Sequence, residues 1–462
     1  WDPLLPAQAY QAGEGSFIIV RPPGTLGHAD YFAAWLVVVT SLALALEQME
    51  DDKWRKRGAV AVAALSALAI VLSGTRSAIL GLAVGAIAFA VLRRSRIQAR
   101  TVAIGLALAA AAVLFYYSPP GAKLRARVYW SLDDPRGGAR LLLWRDSWRM
   151  AANHPWNGFG PETFATEFPR FESIELARAY PDFYQESPHN IFLDALTAQG
   201  FPGLLPLLAL CALGLWAATR APTPLAAGFV AALVCLQFTV FIPATALYFY
   251  LLLALLVVTG FPTTPVAESP SGLVRWLLPV GWIVSLTLAF FAVQLIAADR
   301  ALQVAQREIA TGNTAKAAQA YRAFLAWNPP GSGADLDYSR AMAQLAYRTN
   351  VFATRLAARQ QALEAGVRAT STSGDRQNAW YNLALLFAAE NDTRSVEHSL
   401  RNAIAWAPNW FKPHWTLAQL LEMTGRHGEA LLEAAAAVER DGGHDPEVLE
   451  TLRKLQQVNS SQ

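Results

Sequence analysis

Charged side chains are missing from long stretches of the first half of this chain, and that absence constrains its fold more than any motif. Ala221–Ala267 holds no Asp, Glu, Lys or Arg in 47 residues, and Gly58–Leu92 holds one, Arg76, in 35. An apolar stretch of about 20 residues is what a helix needs to cross a bilayer. Asp299–Gln462, by contrast, carries the mixed charge of an ordinary soluble helical protein. The overall charged fraction of 16%, against about 25% in soluble domains, is therefore an average over two unlike halves. Intrinsic disorder, a collagen-like fibre and a disulfide-stapled secreted domain are excluded.

Eight apolar runs are long enough to span a membrane: Tyr31–Leu46, Gly58–Ser73, Ser77–Leu92, Thr101–Tyr117, Ile191–Thr219, Pro224–Ile242, Ala244–Gly260 and Trp276–Ala298. The pair around Pro243 reads either as two spans or as one kinked span. Lys53, Arg55, Lys56 and Arg57 fill one short loop and Arg93, Arg94, Arg96 and Arg100 another, which places both in the cytoplasm. Alternate threading then puts Arg76, the long loop 118–189 and the tail from Asp299 on the opposite face. The chain opens at Trp1 with no signal peptide, so a fragment with further spans before residue 1 is expected. Cys211 and Cys235 both lie in apolar runs and read as small core residues. A net charge of +3, with no basic patch interleaved with aromatics, gives no sign of a nucleic-acid partner. The fold class is all-α: a polytopic transmembrane helical bundle over 1–297, then a soluble α-solenoid over 298–462.

The tail repeats itself at 34 residues. Tyr381-Asn382-Leu383-Ala384 recurs as Trp415-Thr416-Leu417-Ala418, and Leu386 as Leu420. Phe387, Leu400, Ala403 and Pro408 follow in one unit, and Leu421, Ala430 and Ala437 in the next; Ala317, Tyr321, Phe324 and Pro329 mark an earlier one. This pattern resembles tetratricopeptide repeats, which implies a partner, a protein or peptide, on a concave face. A spacer that merely stabilises the chain end is the plainer reading.

The loop 118–189 is too long for a simple connection, and such loops are usually functional. Leu142, Trp144, Arg145, Trp148 and Arg149 have helical spacing, so Arg140–Ala152 is expected to form a helix on the membrane face. No nucleotide-binding glycine motif, His-Glu-x-x-His or paired-cysteine metal spacing occurs. The candidates for chemistry are three basic groups on the outer face: Arg76 in Ser73-Gly74-Thr75-Arg76-Ser77, Arg140, and His189 in Ser187-Pro188-His189-Asn190. Taken singly, an arginine at a membrane edge can snorkel to the headgroups, Arg140 can be a surface charge, and His189 can cap the helix that follows. Ionisable residues within membrane segments are functional candidates by default. His154, within Asn153-His154-Pro155-Trp156-Asn157-Gly158-Phe159-Gly160, reads as turn chemistry.

Together with Gly24-Thr25-Leu26-Gly27-His28-Ala29-Asp30 and Gly200-Phe201-Pro202-Gly203, these motifs resemble, in order and spacing, the O-antigen ligase and polymerase family of integral-membrane glycan transferases. The resemblance runs from about Gly24 to Leu205. It departs at His28 and Asp30, where that family usually has asparagines, and at Gln199, where an acidic residue is common. It implies that Arg76, Arg140 and His189 form the active site, that Arg76 and Arg140 bind a lipid diphosphate, and that no metal or cofactor is needed. It further implies an undecaprenyl-diphosphate-linked glycan as donor, a glycan, lipid A–core or protein as acceptor, and a place in the bacterial inner membrane with the loop and tail periplasmic. Guanidinium groups suit the diphosphate because they pair bidentately and stay charged, and a histidine can take the acceptor's hydroxyl proton near neutral pH. A different class remains in play: a non-enzymatic membrane anchor presenting a repeat scaffold for envelope assembly. A transporter is disfavoured, since Arg76 is the one lone ionisable residue in the span pattern and it lies at an edge.

Overall fold

The computed structural model describes residues 28–93, 140–181, 185–261, 272–329 and 333–460, with a few isolated positions besides. The architecture is all-α, apart from a two-residue antiparallel pairing of Gln11–Ala12 with Ile19–Val20. Two compact units form, one from Trp1–Phe164 with Ser187–Val266, the other from Ala165–Glu186 with Ala267–Gln462.

The first unit contains α1 (Ala29–Met49), α2 (Lys53–Ser73), α3 (Arg76–Arg93), α4 (Arg140–Asn153), α6 (Ile191–Ala218), α7 (Thr223–Cys235) and α8 (Pro243–Gly260). Its helices start where local side chains satisfy the free N-terminal amides. The Asp52 carboxylate accepts from the N–H groups of Trp54 and Arg55 at 3.0 and 2.9 Å, and the Asn190 amide oxygen accepts from Phe192 and Leu193. Small residues then let backbones approach closely, as in membrane bundles. A Cβ on Gly81 would lie 2.7 Å from the Ala231 carbonyl oxygen, and one on Gly85 would lie 2.9 Å from the Ala231 Cβ. Gly81 and Gly85 thus form the seam between α3 and α7. Phe229, Phe249, Leu252 and Leu256 are buried where α6, α7 and α8 meet.

Among the described residues, six helices are long and apolar enough to cross a membrane, namely α1, α2, α3, α6, α8 and Leu278–Ala310. The expected span 101–117 falls almost wholly outside the described residues. The apolar run 224–242 forms a helix only as far as Cys235, about 20 Å at 1.5 Å per residue. It ends there because the carbonyls beyond it are captured elsewhere. Leu236 O accepts from the Ile191 N–H at 3.2 Å and Gln237 O from the Asn190 side chain at 3.3 Å. Pro243 then opens α8, so the two helices are separate.

The second unit begins with loop residues that include α5 (Ile174–Ala179) and continues through α9 (Gly272–Ala310), α10 (Thr314–Trp327), α11 (Asp335–Arg348), α12 (Phe352–Thr372), α13 (Arg376–Ala389), α14 (Thr393–Trp406), α15 (Phe411–Met423), α16 (His427–Asp441) and α17 (Pro446–Ser460). Position 298 lies inside α9, whose apolar first part is exposed while Ala298, Ala305 and Ile309 enter a core with α10–α12. The later helices pack as consecutive pairs, α11 with α12, α13 with α14 and α15 with α16. Of the positions in the 34-residue spacing, Ala317, Ala384, Leu400, Ala403, Leu417, Ala418, Ala430 and Ala437 are inaccessible to solvent, while Tyr381, Phe387, Trp415 and Leu420 are partly buried. The turns within two pairs repeat too, with left-handed backbone at Asn391 and Gly425, positions an L side chain other than Asn rarely takes.

The loop segment 165–186 is docked on these helices by specific contacts. The Arg170 guanidinium lies 3.7 Å from the Trp406 ring centroid, Asn409 donates to Glu172 O at 2.7 Å, and Arg178 Nε donates to Glu439 O at 2.7 Å.

Candidate active site

His189 has φ +48°, a left-handed conformation that costs a non-glycine residue about 1–3 kcal/mol and that clusters at functional sites. Its two neighbours hold it there. Pro188 O accepts from Trp144 Nε1 on α4 at 3.0 Å. Asn190 caps α6 with its oxygen and donates with its nitrogen to Gln237 Oε1 at 3.2 Å. The half-buried imidazole between them is set by α4 on one side and by the turn after α7 on the other.

Arg140 opens α4, and its guanidinium lies 5.8 Å from the Phe238 ring centroid; the Trp144 ring, one turn later, lies 6.0 Å from the same ring. Burial first, and then the Arg140 cation, push the His189 pKa down from its ordinary 6.5 to about 4. Asp30 opposes this shift and His28 adds to it, so four ionisable groups from three parts of the chain share one field. Such a shift holds the imidazole neutral at physiological pH, the form a general base requires. His28 itself caps α1, its Nδ1 accepting from the Asp30 N–H at 3.2 Å.

Arg76 starts α3 immediately after a tight turn in which Gly74 has φ +63°. Ser73 Oγ donates to Ile70 O at 2.7 Å and accepts from the Thr75 N–H at 3.3 Å, so the turn is built from its own small polar residues. Two links join it to the elements around His189. Thr75 Oγ1 donates to Ala29 O, next to Asp30, at 3.5 Å, and Cys235 Sγ donates to Ser77 Oγ at 3.9 Å. The short stretch 235–238 thus touches the neighbours of all three predicted residues: Ser77 beside Arg76, Arg140 itself, and Asn190 beside His189.

Sequence reasoning passed over Gln237 and Phe238, which lay inside an apolar run with no feature to mark them. It also set His28 and Asp30 aside. Asp146 was missed as well: it is fully buried on α4, the helix that Arg140 opens, and accepts from Arg145 Nε at 3.0 Å and Arg149 Nη1 at 3.3 Å on the same helix. Among the described residues no three His, Cys, Asp or Glu side chains cluster as metal ligands.

The motif around His154 is structural. Its ring packs 4.4 Å from Phe159, and the motif docks on the kink of α6, where Phe159 N–H donates to Thr197 O and Phe201 N–H to Pro155 O. Gly158 and Gly200 both have positive φ, and a Cβ on Gly200 would lie 2.5 Å from Pro155 O. Gly200→Ala is expected to destabilise the protein by about 1–3 kcal/mol from backbone strain, with the clash added. A fall in thermal unfolding temperature of the detergent-solubilised protein checks this; an unchanged midpoint contradicts it.

Residues 61–208 match the family model of O-antigen ligase. The matched segment, about a third of the chain, contains Arg76, Arg140 and His189, while His28, Asp30 and Phe238 lie outside it. With the six apolar helices it supports a multi-pass membrane protein with a glycosyltransferase-like role in polysaccharide assembly. No curated protein and no solved structure matches the chain.

Proposed function

We propose that this protein transfers an oligo- or polysaccharide from undecaprenyl diphosphate to an acceptor hydroxyl. The observation that carries this reading is His189 fixed in left-handed backbone within the field of Arg140, which together with burial lowers its pKa. His189 takes the proton from the acceptor hydroxyl, whose oxygen forms a new bond to the anomeric carbon of the donor. The bond from that carbon to the diphosphate oxygen breaks, its electron pair leaving with the diphosphate. Arg76 and Arg140 balance the charge that develops there, as preorganised cations do in transition states. The acceptor is a growing glycan, lipid A–core or a protein; these share the same chemistry.

The loop and tail belong on one side of the membrane, the periplasmic face of a bacterial inner membrane. In support, loop residues 165–186 pack with α13–α16 in one unit, which requires an even number of crossings between them. Four apolar segments intervene, so α7 counts as a crossing, completed by the seven residues after it. Leu236, Thr239 and Val240 are buried there, and irregular backbone at membrane depth is tolerated where protein covers it. The Lys53–Arg57 cluster fits the cytoplasmic end of α2. The helix pairs from α10 onward read as tetratricopeptide-like repeats.

The scaffold reading makes opposite predictions. Replacing Arg76, Arg140 and His189 together by alanine, in cells that depend on the protein for surface polysaccharide, is expected to abolish that polysaccharide while the protein stays inserted. Normal polysaccharide in the triple variant, with loss on deletion of 299–462, would favour a scaffold instead.

A further inference from the structure

Between the docked loop segment and α13–α15 lies a cleft of about 210 Å³ within the second unit. Tyr180 from the loop and Gln377, Asn378, Tyr381, Asn382 and Trp410 from the helices line it. A second cavity of about 490 Å³ shares Arg340, Asn382 and Leu385 as lining residues. The combination is unusual for a surface that only packs helices, because three aromatic rings stand beside three side-chain amides.

Most of these polar groups are spoken for. Asn378 accepts from Arg340 at 3.2 Å, Asn382 donates to Ser339 Oγ at 2.9 Å, and the Tyr381 hydroxyl is paired with Thr416 Oγ1 at 3.0 Å. Gln377 differs from these three. It is 7% exposed, and its Oε1 has no hydrogen-bond partner among the described residues. A buried acceptor left unsatisfied costs about 1–3 kcal/mol; this atom is closed to solvent, and the residue that carries it forms part of the cleft wall. What it lacks is a donor, an O–H or N–H arriving from outside.

We infer that this cleft binds an oligosaccharide segment of the glycan the protein handles, as a site separate from the transfer centre. The inference rests on the transfer reading above. Sugar rings present C–H faces that lie on aromatic rings such as Trp410, Tyr381 and Tyr180, and hydroxyls that donate to acceptors such as Gln377 Oε1. Pockets that orient ligands commonly combine aromatic walls with a few placed polar groups in this way. A polypeptide is the less favoured occupant, because the protein's own segment 165–186 already covers this face through Arg170, Glu172 and Arg178. That same segment runs on in sequence to His189, eight residues beyond Pro181.

The test uses the full chain in lipid nanodiscs. The probe is a set of fluorescently labelled oligosaccharides released by mild acid from the producing organism's envelope polysaccharide. Binding is expected by anisotropy, and Gln377→Leu and Trp410→Ala are each expected to weaken it about tenfold or more, equivalent to one hydrogen bond or ring contact. Both variants should keep the wild-type far-ultraviolet circular dichroism and unfolding midpoint. Gln377→Leu preserves side-chain bulk, so it carries the test if Trp410→Ala unfolds. His189→Ala should bind the oligosaccharides as the wild type does. Absence of binding, affinity unchanged in Gln377→Leu, or capture of a peptide library with the same sensitivity to these variants would overturn the inference. Glycan binding at the cleft together with full transfer by His189→Ala would overturn the transfer reading and spare the cleft; transfer lost in His189→Ala with no cleft binding would do the reverse.

Discussion

His189→Ala is expected to lower the rate of glycan transfer by about 10²- to 10⁴-fold, the usual contribution of a positioned general base, while the protein remains folded and inserted. Alanine keeps the Cβ that makes left-handed backbone costly, so the strain at position 189 stays in the variant, and its unfolding midpoint is measured alongside the rate. The pH profile separates a base from a merely structural residue. Burial and the Arg140 cation hold the His189 pKa at about 4, below the 6.5 of a free histidine. The active, neutral form is therefore present above about pH 4, and transfer should rise through that value and be level by pH 6 to 7. Neutralising Arg140 removes one of the three causes of the depression, after burial and beside His28, so the residual activity of Arg140→Gln should show its acid limb displaced upward. The sign for stability follows from the same shift: below 6.5 the unfolded chain takes up a proton that the folded site refuses, so acid erodes stability as pH falls from 6.5 towards 4. A wild-type acid limb near 6.5 would show that His189 is not the titrating base.

The second large effect concerns the two arginines. Arg76→Ala and Arg140→Ala are each expected to lower transfer by about 10²- to 10³-fold, the scale on which one preorganised group stabilising transition-state charge is lost. Lysine at either position restores charge but not the planar fork that grips two phosphate oxygens, so Arg76→Lys and Arg140→Lys should recover only part of the loss. The two positions differ in their surroundings. Arg140 lies over Phe238, against which a guanidinium stacks well, whereas Arg76 sits in the compact Ser73–Ser77 turn. Full activity in either lysine variant, measured with saturating donor, would remove bidentate diphosphate binding from the mechanism.

The parts of this fold that were legible in sequence are those controlled by solvation. Charge is so costly in hydrocarbon that runs such as Gly58–Ser73 and Ala244–Gly260 declare themselves as helices. Ala384, Ala403, Ala418 and Ala437, picked out by the 34-residue spacing, are fully buried among the helices of the tail. What stayed hidden depends on hydrogen bonds between distant segments. The run 224–242 looks like an uninterrupted span, and nothing in it shows that Asn190 and Ile191 take the carbonyls of Gln237 and Leu236 and end the helix at Cys235. Segment 165–186 looked like part of a loop, yet Arg170 meets Trp406 and Arg178 meets Glu439, more than 230 residues away. For the candidate site, Arg76, Arg140 and His189 could be singled out from their motifs, but the contact of Phe238 with Arg140 and the place of Asp30 and His28 in the field at His189 required the folded chain.

The central claim is that this chain itself breaks the bond between a glycan and a lipid diphosphate. The most direct measurement uses the purified protein in nanodiscs with a radiolabelled glycan on undecaprenyl diphosphate and a hydroxyl-bearing acceptor, following release of free undecaprenyl diphosphate alongside appearance of label in the acceptor. The account predicts equal release and transfer by the wild type, and neither by the protein in which Arg76, Arg140 and His189 are all alanine. Donor left intact by the folded wild-type protein, or consumed equally by the triple variant, would contradict it.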